Sequence, residues 1–177
     1  MIKLRIAKLG YIIMSILFYA AGIILIFFPE IPFELFCIVA GIAFVAYGII
    51  KIIGYFSKDL YCLAFQYDFA FGIFLMVIGI TLFIFGPTHE RYVPIIIGIT
   101  ILADSLFKMQ MSFDAKKFGL RSWGVILATS IVSGFFGVFF IISVLSGMII
   151  MNLIAGCSVL SEGIMNQCTI ICTVKKS

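Results

Sequence analysis

Three polar pairs stand out in a chain that is otherwise apolar: Tyr47 with Lys51, Asp104 with Lys108, and Glu162 with Asn166. The two members of each pair are four residues apart, so each pair occupies one helix face and its side chains touch. The pairs themselves follow one another at intervals of 57 and 58 residues. Asp68 supplies a further carboxyl at a similar level. A carboxylate away from water is costly unless it is paired or hydrated, so these residues admit two kinds of chemistry. In the first, Asp104 pairs with Lys108 and orients its helix as a structural anchor. In the second, Asp104 and Glu162 take up protons or bind a cation as the site of a small channel or transporter. The candidate intramembrane polar site is therefore Asp68, Asp104, Lys108, Glu162 and Asn166.

The elements that would position them follow from composition. Of 177 residues, 64% are hydrophobic and 11% charged, less than half the charge of an ordinary soluble domain. The chain reads as a polytopic all-α membrane protein, because six helices of about 20 residues each would use most of its length. The expected spans are 9–28, 33–53, 69–86, 92–111, 123–143 and a sixth from 148 through Glu162, its helix persisting toward Thr173. With the fourth span entering near Tyr92, Asp104 lies roughly 18 Å along it, short of the inner interface. Lys51 falls near the end of the second span, where its ammonium is expected to snorkel into the headgroups. The uncharged run after Lys8 is too long for the apolar core of a signal peptide and reads as an uncleaved first span.

Small residues repeat at the same offset as the polar pairs. Ser15/Gly22, Gly41/Gly48, Gly72/Gly79, Gly98/Ser105, Ser130/Gly137 and Gly156/Gly163 are each seven apart, two turns along one helix face. In lipid, where no hydrophobic force drives helix against helix, such faces permit close backbone approach. The expected architecture is six transmembrane helices as three tandem two-helix hairpin repeats, about 9–56, 66–113 and 124–171, in one bundle with threefold internal symmetry. Each hairpin crosses twice, so the repeats are parallel rather than inverted.

Basic residues fix the expected orientation. The amino terminus, the connectors 51–68 and 108–121 and the carboxyl tail hold 11 of the 12 Lys and Arg, while the turns on the other side hold only Arg91. The positive-inside rule then places both termini in the cytoplasm. Trp123, beside Arg121, is expected to anchor the fifth span at the interface. The net charge of +4 is thus a matter of topology, and nucleic acid is not an expected partner. The expected partners are membrane lipids, with a second copy of the chain or another membrane protein as the protein partner.

No enzyme is expected. His89 is the one histidine, so neither a His-rich metal site nor a His-supported nucleophile can form, and no phosphate-cradling loop is present. No cofactor and no metal is expected. Cys37, Cys62, Cys157, Cys168 and Cys172 read as small apolar residues rather than a disulfide framework.

Pro29 or Pro87 in an outer turn, followed by a helix carrying a Gly-x6-small pair, makes each unit similar to those of a known family. With Gly98 to Lys108, then Asp114-Ala-Lys-Lys-Phe-Gly119 and Trp123, the chain resembles the HdeD-like acid-resistance membrane proteins from about residue 9 to 166. The resemblance implies a six-span bacterial inner-membrane protein with a role in acid or envelope stress tolerance, and it brings no catalytic residues. The third unit departs from the pattern, having lost its turn proline and carrying Asn166 where Lys stands in the others.

Overall fold

The computed structural model describes residues 2–28, 30–56, 67–89, 92–147 and 151–173. Pro29, the connector residues Lys58, Asp59 and Cys62, the turn residues Glu90 and Arg91, Met148, Lys175 and Lys176 lie outside them. The described residues form six α-helices: α1 (Ile2–Phe27), α2 (Phe33–Tyr55), α3 (Asp68–Phe85), α4 (Tyr92–Lys117), α5 (Trp123–Leu145) and α6 (Met151–Thr173). A 3-10 turn at Gly86–Thr88 follows α3.

Five of the six, all but α6, are long and apolar enough to cross a membrane. At 23 residues α6 has the length, but Asn152, Glu162, Asn166 and Gln167 lower its mean hydropathy. The expectation of six helices is met, and that of six spans is met by apolarity for five.

Two boundaries differ from the sequence reading. α1 begins at Ile2, and α4 runs to Lys117 rather than ending near Met111. Lys116 and Lys117 in the last turn of α4 complement the negative end of the helix dipole. Gly119 then ends it at φ 75°: its N–H bonds the Lys116 carbonyl while the Leu120 N–H bonds that of Ala115, a Schellman closure that glycine adopts without strain. The Lys116 ammonium lies 4.5 Å from the centre of the Trp123 ring and ties the start of α5 to the end of α4.

Packing follows the small residues, but not hairpin by hairpin. The most extensive helix pairs are α2 with α3, α4 with α5, and α1 with α6: two lie across the connectors between expected repeats, and the third joins the first helix to the last. A Cβ added at Gly41 would sit 2.9 Å from the Gly79 carbonyl oxygen, and one at Gly48 2.6 Å from that of Gly72. Across α1 and α6, a Cβ at Gly22 would come 2.8 Å from the Gly156 oxygen, and one at Gly163 3.1 Å from that of Ser15. Across α4 and α5, Gly137 and Gly98 face each other, with 3.3 Å left between a Cβ on the first and the oxygen of the second. Ser105 packs on Gly134, a position outside the expected pairs, because its hydroxyl occupies the space a Cβ there would need. Ser15 and Ser130 are buried and turn their hydroxyls back to the carbonyls of Tyr11 and Ile126, which leaves them to act as small residues.

The outward faces are apolar. Ile16, Ile23 and Phe27 of α1, Val77 and Ile84 of α3, and Phe135 and Ile142 of α5 are exposed, as lipid contact requires. Cys37 is buried and Cys157, Cys168 and Cys172 are half-buried, consistent with the apolar reading of the thiols.

Candidate functional site

The polar residues converge on the middle of the bundle. α4 presents Asp104 and, one turn later, Lys108, whose ammonium lies 3.0 Å from Asp104 Oδ2. α2 presents Lys51, whose ammonium lies 3.0 Å from Asp104 Oδ1 and 3.1 Å from Asp68 Oδ1 of α3. Tyr11 of α1 donates its phenol hydrogen to the other Asp68 oxygen. One lysine thus joins two carboxylates from two other helices.

The α6 side completes the network. Asn166 Oδ1 accepts from Lys108 Nζ at 2.6 Å and lies 2.6 Å from the Tyr47 hydroxyl, while its amide donates to Glu162 Oε1 at 3.2 Å. Ser133 of α5 donates to Glu162 Oε2 at 3.0 Å. Asn166 thereby links Glu162 to Lys108, which in turn holds Asp104. All six helices contribute, and every one of these side chains is buried.

Lys51 corrects the sequence reading. It does not snorkel: it is 1% exposed, with its ammonium 4.7 Å from the Tyr47 ring centre and 5.0 Å from that of Phe71. A lysine in this position needs counter-charges, and Asp68 and Asp104 supply them. Lys51 and Lys108 therefore leave the set of interfacial cations on which the orientation was read.

The structure brings together all five residues of the predicted polar site: Asp68, Asp104, Lys108, Glu162 and Asn166. The i, i+4 contacts expected within α4 and α6 are both made. Tyr11 and Ser133 are additions the sequence reading missed. Tyr11 stands 57 residues before Asp68, the repeat offset, and that signal could have found it. Ser133 carried no such signal, since Phe18 and Leu75 stand at the matching places.

Contacts between offset-related residues recur: Tyr11 with Asp68, Tyr47 with Asp104, and Lys108 with Asn166.

Little space surrounds the network. A cavity of about 40 Å³, lined by Phe18, Leu75, Ile101, Val159, Asp104 and Glu162 among others, lies on one side. A gap of about 10 Å³ beside Asp68, Phe107 and Lys108 lies on another. The first has room for a water molecule or two, and the second for hardly one.

Ser133→Ala should cost about 1 kcal/mol, because it removes one donor from a buried carboxyl without changing charge. Unfolding in detergent or bicelles reads the loss. Ser130→Ala, which removes a bond only to its own helix, should cost less.

Fold and site together define a polytopic α-helical membrane protein with a buried ion-pair core. The chain matches the family described as Short repeat of unknown function (DUF308) twice, over residues 13–84 and 70–142, and belongs to it. The two matches are displaced by the same 57 and 58 residues that separate the polar pairs. No curated protein and no solved structure matches the chain.

Proposed function

We propose that this chain is a bacterial inner-membrane protein of the HdeD-like type, acting in acid or envelope stress tolerance as an internally braced structural or partner-binding body. The stress role rests on the resemblance to that family. The mechanism rests on one observation: Asp68 and Asp104 are both neutralised by lysines from the same bundle, so the charges bind helices to one another. In this reading α6 is the sixth span and closes three parallel repeats. Its exposed apolar residues Leu153, Ile164 and Ile171 support that, since they meet lipid while its polar residues face inward. Both termini are then cytoplasmic, an orientation that Lys8, Lys116, Lys117 and Arg121 support without Lys51 or Lys108. The protein is not an enzyme in this reading and needs no cofactor. Its partners are membrane lipids and a second copy or another membrane protein.

A second reading, a small proton or ion channel or transporter using Asp104 and Glu162, is favoured by a different observation. Glu162 is a buried carboxyl with no lysine of its own within 4 Å among the described residues. Proton flux into proteoliposomes under an imposed acid gradient separates the two. The structural reading predicts flux equal to that of empty vesicles. Flux above empty vesicles that Asp104→Asn or Glu162→Gln abolishes would replace it with the second.

A further inference from the structure

We propose that Glu162 carries one exchangeable proton, which makes the buried network electrically neutral. The inference deepens the second reading of the site, but rests on it only for what the proton does, not for the proton's presence.

The first argument is a charge count. Among the described residues the network holds three carboxyls, Asp68, Asp104 and Glu162, and two ammoniums, Lys51 and Lys108. With all five ionised it would keep one uncompensated negative charge in the middle of an apolar bundle, which is costly. One proton removes that charge.

The second argument is geometric. Asp104 receives Lys51 on one oxygen and Lys108 on the other, and Asp68 receives Lys51 and Tyr11. Among the described residues Glu162 has neutral donors only, Ser133 and the Asn166 amide, and it lines one cavity with Asp104. The proton that neutrality calls for therefore resides on Glu162, because Asp104 already has a lysine at each oxygen.

Among the described residues no other neutralising group faces it. From α4 Glu162 faces Asp104 and Lys108, from α5 Ser133, from α1 Tyr11, and across the centre Tyr47 and Lys51 of α2. Both lysines are already engaged by aspartates. The cavity of about 40 Å³ that Glu162 and Asp104 share gives the proton a place to meet water and exchange. The competing occupant is a monovalent cation in that cavity, balancing an ionised Glu162.

Infrared spectroscopy of the full chain in lipid at neutral pH decides between them through the carbonyl stretch of protonated carboxyls, which shifts in heavy water. The native protein should show one such buried carboxyl. Glu162→Gln should abolish the band. Asp104→Asn should abolish it too, since Glu162 then ionises to face the two lysines. Lys108→Met should roughly double it, since one fewer cation calls for one more proton. A native spectrum without the band, or a band that survives in Glu162→Gln, overturns the proposal even if every other variant fails to insert. Proton flux tests transport separately: a band without flux leaves this inference standing and sinks the channel.

Discussion

Lys51→Met is expected to destabilise the protein by about 3–5 kcal/mol, the usual result of removing one partner of a buried ion pair. Methionine nearly matches the lysine stem in length and opens little cavity, so the loss reports charge rather than packing. Among the described residues Asp68 would keep the Tyr11 phenol, and Asp104 would keep Lys108 and the Tyr47 hydroxyl. Two helices, α3 and α4, would lose their shared tether to α2. The matching control is Lys117→Met. Its pair with Asp114 is 3.1 Å long but its side chain is 77% exposed, so removing it should change stability by less than about 1 kcal/mol. Reversible unfolding in bicelles would compare the two.

The second large effect concerns backbone approach. Gly48→Leu should destabilise at the upper end of the roughly 1–3 kcal/mol expected of overpacking. A Cβ there meets the Gly72 carbonyl oxygen at 2.6 Å and Met76 Cγ at 2.7 Å, and the first of these is backbone that cannot rotate away. α2 and α3 would have to separate, and Lys51, one turn further along α2, would move from Asp68. The substitution therefore weakens packing and network together. Gly124→Leu, where a Cβ meets nothing within 4 Å, should be tolerated. Unfolding of both variants measures the difference, and exposure of the network shows as faster hydrogen exchange in α3.

These two positions also show what could be read from the chain and what could not. Gly48 belongs to a seven-residue pair that repeats at 57 residues, so its place on a packing face was legible. Its partner was not, because periodicity gives a face and not the neighbour: the close contact is with α3 across a connector rather than within the hairpin. Asp104 and Lys108 were legible as a pair because four residues on a helix imply contact. Lys51 carries the same row position as Lys108, yet its nearness to a helix end favoured the headgroups. What holds it inside is Asp68 and Asp104, two charges contributed by other helices, and no local pattern carries that. α6 was legible as a helix through its small residues, but its polar residues obscure the span signal, and two of them, Glu162 and Asn166, serve the buried network.

The most direct test of the central claim, that the buried charges brace the bundle as one unit, is a double-mutant cycle of Lys51→Met and Asp68→Asn measured by unfolding in a single lipid system. If the charges act together, the double variant should be more stable than Lys51→Met alone, because it removes the carboxylate that the first substitution strands, and the coupling should exceed about 1 kcal/mol. If the two losses simply add, the lysine and the aspartate act independently, and the account of a braced ionic core is contradicted.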